Sequence, residues 1–342
     1  MNNFDEYKIL GEPHKAERAK LWETAIGLQQ ADGLRVSDYL IEIAKAHIDG
    51  DITIDEVKHR IDGYYRSKTE RIDDRTDEAD KSSSRITEIL GEKTFTFSPM
   101  EYITIHKRLF DGSLFRGNKS IAGVIRDYNI SKDEWVLGGD TVYYASADSI
   151  RATLEYDFAQ EKKFSYKGLS QREITEHIAK FTSGIWQIHA FGEGNTRTTA
   201  VFIIKYLRSL GYRVENDLFK DNSWYFRNAL VRANYNAQAS GIFATTECLE
   251  KFFGNLLLGE KNILRNRDLH VKANDTTDTQ NDTILDTIFS LIKSNTNITT
   301  SEIAEQLGLG IATVKRKTKE LKDKGWLERV GSIQSGCWKI NH

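Results

Sequence analysis

Apolar residues recur at helical spacing along most of the chain, and clear alternation of the kind strands show is rare. Leu40, Ile43, Ala44 and His47 follow Ser37 at such spacing and predict a helix within a first helical stretch, residues 1–70. Thr53 and Glu56 have the spacing of a capping box, in which a hydroxyl and a carboxylate satisfy two orphan amide donors. A charged run, residues 67–84, then leads to a short apolar helix, RITEIL. Ser170 and Glu173 form another capping box, and Ile174, Ile178, Phe181 and Ile185 after it make one buried stripe. That helix is expected to end near His189. The next is expected to begin at Asn195 or Thr196 and to run to a glycine stop at Gly211. Between residues 134 and 144, EWVL and TVYY flank Gly-Gly-Asp and predict a β-hairpin.

The polar tract 266–282 lacks apolar period and reads as a linker. Residues 283–342 then form a compact module. A first helix is followed by Thr299 and Glu302 capping a second, and ATVKRKTKELKDKG makes a third. WLERV and CWKI alternate as two strands joined by GSIQSG, and this order resembles a winged helix. The third helix carries Lys315, Arg316, Lys317, Lys319, Lys322 and Lys324 against Glu320 and Asp323, six cations against two anions. Such a helix suits DNA phosphates, and equally suits the solvated face of a protein-interaction module.

Composition changes this picture little. The 342 residues suggest two or three domains, and 39% hydrophobic with 29% charged residues is ordinary for a globular chain. A net charge of −2 gives no overall bias toward nucleic acid or membrane, so any such partner rests on local charge. Cys248 and Cys337 sit in no metal-ligand spacing, which fits a reducing compartment. The polar N-terminus has no signal-peptide core, and no apolar run is long enough to span a bilayer. The expected location is cytoplasmic, with no membrane partner.

The chemistry concentrates in HAFGEGNTRTTA, residues 189–200. Amide groups at a helix start, with the positive end of the dipole, favour phosphate. Gly192 and Gly194 let the backbone approach an anion, and Arg197 adds a planar fork for phosphate oxygens. Glu193 offers a hard oxygen ligand for Mg2+, which arrives with polyphosphates, and His189 is a candidate proton acceptor. Taken singly, each has a plainer reading: a histidine favouring a helix C-terminus, a core phenylalanine, a glycine turn.

His189, Phe191, Glu193, Gly194, Asn195 and Arg197 match the pattern His-x-Phe-x-(Asp/Glu)-Gly-Asn-x-Arg, and the chain resembles the Fic family. Such a match arises by accident in about one in 10^5 chains of this length. The resemblance implies a mainly α fold: a Fic helical core with a β-hairpin flap in residues 71–265, behind an antitoxin-like helical region. It also implies a protein adenylyltransferase that moves AMP from ATP-Mg2+ to a hydroxyl of a target protein or of itself. In that role His189 takes the hydroxyl proton, Glu193 holds Mg2+, and Gly192, Gly194, Asn195, Thr196 and Arg197 bind the nucleotide. Tyr225 resembles the aromatic lining of the adenine end, although a Tyr-Phe pair at helix spacing is equally a core feature. The hairpin resembles the flap that holds a target segment by strand addition, or is an ordinary surface hairpin.

Two departures from the pattern stand out. Thr196 replaces a glycine, and Ala200 stands where the family carries a second arginine toward the nucleotide's terminal phosphate. Ser84 and Glu88 resemble the family's inhibitory motif, (Ser/Thr)-x-x-x-Glu, with Ile89 in place of Gly or Asn. By that resemblance Glu88 projects into the nucleotide site as a brake. A serine and a glutamate four apart are also common in any helix. The competing functional reading is a DNA-binding regulator whose Fic-like domain binds nucleotide with little or no transfer. The target's identity and a homo-oligomeric state are left open.

Overall fold

The computed structural model describes residues 4–67, 75–112, 114–115, 119–214, 217–271, 280–307, 309–323, 326–330 and 337–340. Its described residues form fourteen α-helices and two short antiparallel hairpins. Two compact units divide the chain. The first takes residues 1–130, 144–227 and 249–262; the second takes residues 131–143, 228–248 and 263–342.

The first unit opens with α1 (Asp5–Leu10), α2 (Pro13–Gln29), α3 (Asp38–Asp49) and α4 (Ile54–Ser67). Pro13 sits at the first helical position of α2, where its missing N–H costs nothing. Ser37 caps α3 by accepting from Leu40 N–H at 3.0 Å, and Gly50 ends it in the left-handed conformation at φ 90°. Thr53 accepts from Glu56 N–H at 3.2 Å, whereas the Glu56 carboxylate turns to Arg60 at 2.9 Å. Half of that expected capping box is formed. Trp22, Leu40, Ile43, Ile48, Val57 and Ile61 pack as the core of this region.

Next comes α5 (Thr76–Gly91), which is longer than the apolar RITEIL. It takes in much of the charged run, and residues 68–74 of that run lie outside the described residues. The helix buries a polar face because its side chains there are small and bonded. Ser82 Oγ donates to Gln29 Oε1 at 2.9 Å, and Asp80 accepts from Ser37 N–H at 2.9 Å and from Tyr65 OH at 2.7 Å.

Then come α6 (Pro99–Phe110), the hairpin β1 (Leu114–Phe115) and β2 (Lys119–Ser120), α7 (Ile150–Lys163), α8 (Gln171–Ile188) and α9 (Asn195–Ser209). The Ser170–Glu173 capping box of α8 is complete. Phe97, Phe158, Phe181, Phe202 and Tyr206 pack ring against ring between α7, α8 and α9. Further along are α10 (Asp217–Ala233), which changes direction at the non-helical Asn222, and α11 (Glu247–Leu258). Phe219 and Phe226 of α10 pack against Phe252 of α11.

Residues 134–144, of which 134–143 belong to the second unit, hold no strand. Trp135–Leu137 form a 3-10 turn, closed by Glu134 N–H to Asp140 O at 2.9 Å, with Gly138 and Gly139 both at positive φ. Trp135, Val136 and Leu137 are buried, so the apolar run acts as a plug and not as a half-buried strand. The expected linker also begins as built structure: Asn266–Leu269 is a 3-10 turn, and Asn266 bonds Asn228 at 2.7 Å and Gln306 O at 3.0 Å. Its residues 272–279 lie outside the described residues.

The C-terminal module consists of α12 (Gln280–Ser294), α13 (Thr300–Leu307), α14 (Ile311–Asp323), β3 (Leu327–Val330) and β4 (Cys337–Ile340). Thr299 and Glu302 cap α13 reciprocally. Leu327 pairs with Ile340, and Val330 with Cys337. Trp338 of β4 is buried and donates its indole N–H to Ile298 O at 2.8 Å. The turn GSIQSG, residues 331–336, lies outside the described residues.

Candidate active site

Helix α8 ends at Ile188, and His189 follows in the left-handed conformation, φ 48° and ψ 54°. A non-glycine residue is rarely stable there, so neighbours must hold it. Its imidazole is 3% exposed, with the Tyr144 ring at 4.0 Å between centroids and Trp186 edge-on at 5.4 Å. Arg126 Nε donates to His189 O at 2.7 Å.

The loop from Ala190 to Gly194 is tied at several points. Phe191 stacks on His106, centroids 3.6 Å apart, and lies beside Tyr102. Asn195 closes the loop with both halves of its amide: Oδ1 accepts from Phe191 N–H at 3.0 Å, and Nδ2 donates to Phe191 O at 2.7 Å. The Asn195 side chain is thus a clasp across the loop. Gly194 stands at φ 73°, and a Cβ there would come within 2.3 Å of the Phe110 ring. Thr196, where the family carries glycine, accepts from Trp186 Nε1 at 3.1 Å and so fixes one wall of the histidine slot.

His106 on α6 supports the loop from below. Its Nδ1 accepts from Gly123 N–H at 2.9 Å, which leaves the proton on Nε2 to donate to Glu193 O at 3.1 Å. Burial pushes its pKa down to about 3, so the imidazole is neutral. The Glu193 backbone is thereby fixed while its side chain stays partly exposed. At the start of α9 the first intrahelical bond runs from Thr198 N–H to Gly194 O at 3.0 Å. The amides of Asn195, Thr196 and Arg197 precede it, at the positive end of the helix dipole.

Arg197 is placed differently from the expectation. It is wholly buried, and its guanidinium is held by Asp32, in the 3-10 turn that follows α2, and by Glu78 of α5. Nε donates to Asp32 at 2.5 Å, Nη2 to Glu78 at 2.6 Å, and Nη1 to Gln29 at 3.0 Å and Ser82 at 3.3 Å. Burial disfavours the cation, but Asp32 and Glu78 outweigh it and hold the pKa above its ordinary value.

Glu88 does not meet Arg197. It lies ten residues along α5 from Glu78, about 15 Å by helix rise, and pairs with Lys58 at 2.6 Å and Arg108 at 3.4 Å. Ser84 donates to Lys81 O within its own helix. Glu78 and Asp32, and not Glu88, are the acids on the Arg197 guanidinium. Ala200 is wholly buried on α9, and Tyr225 is 2% exposed on α10.

Arg126, His106, Asp32 and Glu78 are among the residues of this arrangement that escaped the sequence reading. His106 left one signal, as a histidine four residues after Tyr102 on the apolar face of α6. The acids looked like surface charge, because their partner is more than 100 residues away in sequence.

The donor set fits Mg2+ in the mode that accompanies polyphosphates. That mode uses one or two protein carboxylates plus phosphate oxygens, and Glu193 supplies one. No group of three or more His, Cys, Asp or Glu side chains suited to a metal occurs among the described residues.

Residues 96–207 match the Fic/DOC family model, and residues 281–328 match that of the winged helix-turn-helix DNA-binding domain. No curated protein matches the chain. Among solved structures, a Fic family protein from Desulfovibrio desulfuricans G20 is 14% identical with a TM-score of 0.43, covering 99% of this chain and 92% of its own. The N-terminal Fic domain of Bep8, a VirB-translocated effector from Bartonella sp. 1-1C, is 17% identical with a TM-score of 0.39, covering 60% of this chain and 87% of its own. The chain therefore carries a Fic/DOC-family domain over residues 96–207, followed by a C-terminal winged helix over residues 281–328.

Proposed function

We propose that this chain is a protein adenylyltransferase that moves AMP from ATP to a hydroxyl of a target protein or of itself. One observation carries the reading: the buried His189 that ends α8 and the amide-rich start of α9 are brought together by a five-residue loop holding Glu193. His189 accepts the hydroxyl proton as the oxygen bonds to the α-phosphorus, and the bond to pyrophosphate breaks. The amides of Asn195 to Arg197 offset the charge that develops on the phosphate oxygens. Glu193 would hold Mg2+, which when bound neutralises polyphosphate charge. Tyr225 is assigned to the adenine end. ATP and reducing conditions coincide in the cytoplasm, the compartment this reading assigns, and no described helix is long and apolar enough to cross a membrane.

The test is incubation with ATP and Mg2+ of wild type and His189→Ala side by side, read by mass spectrometry. An AMP adduct in the wild type only supports the enzyme. Equal labelling by both removes His189 from the mechanism, and nucleotide binding with no adduct on any chain favours a regulator that only senses nucleotide.

In this reading Asp32 and Glu78 form the brake, because they occupy the guanidinium that a phosphate would otherwise meet. Binding of DNA by the winged helix is a second activity of the same chain. It is favoured by α14, where Lys315, Arg316 and Lys319 are exposed while Lys317 is buried.

A further inference from the structure

Among the groups around the loop, Arg126 has an unusual set of partners. It is 4% exposed, and every partner given by its hydrogen bonds is a backbone carbonyl. Nε donates to His189 O at 2.7 Å, Nη2 to Ile188 O at 3.3 Å and to Ala145 O, and Nη1 to Tyr128 O at 2.6 Å. Its backbone N–H donates to Ala190 O at 3.0 Å. One residue therefore gathers three successive carbonyls, 188 to 190, around the only left-handed non-glycine residue of the loop.

Those carbonyls belong to a helix C-terminus, where the last oxygens lack intrahelical donors and the dipole favours a cation. The bond to Ala145 O also anchors the residue after Tyr144, whose ring covers the His189 imidazole. Ala145 N–H in turn donates to Gln187 O at 3.4 Å. Both the backbone and the ring face of His189 are thus set through one guanidinium. A left-handed non-glycine backbone is strained and persists only where its surroundings over-determine it.

We infer that Arg126 is the positioning residue of His189, holding the strained backbone and, through Ala145, the Tyr144 cover that together aim the imidazole. Arg126 touches no reacting atom, and the inference rests on the transferase reading for its kinetic half. The planar fork is the essential property, since a lysine ammonium is a point donor that cannot reach four carbonyls in fixed directions. Arg126→Lys keeps the charge at the helix end and removes the fork.

The test compares wild type, Arg126→Lys and Arg126→Ala as full chains, each checked for a cooperative melt. ATP affinity is read by titration, and labelling by single turnover. Accessibility of the imidazole is read as the rate of His189 carbethoxylation by diethyl pyrocarbonate, mapped by mass spectrometry. Arg126→Lys is expected to bind ATP within about twofold of wild type, to label about 100-fold more slowly, as misplacement of a reacting group by roughly 1 Å does, and to be carbethoxylated several-fold faster. Added methylguanidinium should restore part of the rate to Arg126→Ala and none to His189→Ala. Unchanged labelling and unchanged carbethoxylation in a folded Arg126→Lys overturn the inference, as does a loss of ATP binding in step with the rate. If wild type transfers nothing while carbethoxylation still accelerates in the variant, the transferase reading fails and the positioning role stands.

Discussion

Glu78→Gln separates a brake from a strut, because the substitution keeps the shape of the acid and removes its charge. Arg197 is wholly buried, and its two carboxylate partners, Glu78 and Asp32, are 8% and 19% exposed. Two opposite charges about 4 Å apart attract by ~4 kcal/mol at an effective dielectric near 20. Stranding one member of a buried pair costs about 3–5 kcal/mol. Asp32 remains in the single variant, so the loss should be smaller, about 1–3 kcal/mol, the range of a hydrogen bond to a charged group. If closure of the cage competes with nucleotide, that energy appears in the affinity at about 1.4 kcal/mol per tenfold. Glu78→Gln should then tighten binding of a non-hydrolysable ATP analogue about 5- to 140-fold and raise self-labelling in proportion. Asp32→Asn with Glu78→Gln should exceed either single variant. Glu88→Gln should change affinity by less than about twofold, because its carboxylate faces Lys58 and Arg108. The assay is isothermal titration beside single-turnover labelling, with melting temperatures for each variant. A Glu78→Gln protein that melts earlier while binding and labelling like wild type would refute the brake and leave the cage as a strut of the N-terminal helices.

Three further outcomes are expected. Gly194→Ala places a Cβ within 2.3 Å of the Phe110 ring at φ 73°, so it should cost about 2 kcal/mol in urea denaturation and slow labelling. Burial holds the folded pKa of His106 at about 3 and of His47 at about 4, below the 6.5 of an exposed histidine. Their stabilising contribution is complete above pH 6.5 and is lost as pH falls toward those values, because only the unfolded chain takes up the protons. His106 should remove about 2 kcal/mol between pH 6.5 and 5, and His47, whose partial exposure lets solvent screen it, clearly less; His106→Gln should flatten that slope in denaturant melts. Substituting Lys315, Arg316 and Lys319 together by alanine should weaken DNA binding most at low salt. The salt slope should fall by about one for each phosphate left without its cation, read by fluorescence anisotropy. Equal binding by that variant would exclude α14 as the DNA-facing helix.

Local signals carried what the sequence alone determined. The capping boxes at Ser170 and Thr299, the C-terminal stop at Gly211, the start of α9 at Asn195 and the two strands around residues 331–336 all depend on neighbours within a few residues. The same holds for the match to the Fic pattern, whose residues fall within nine consecutive positions from His189 to Arg197. The Trp135–Leu137 plug was read as a strand because a short apolar run has no period of its own to tell a strand from a buried turn. Only the tertiary structure decided which acid meets Arg197. Glu78 and Asp32 lie 119 and 165 residues away from it, whereas Glu88 resembled part of a motif and faces lysine and arginine instead. A buried guanidinium must be neutralised by whatever carboxylates the fold delivers, because leaving it bare in a low dielectric costs more than ordering them. That choice is made when helices from distant parts of the chain close over one side chain, and no spacing within a single helix records it.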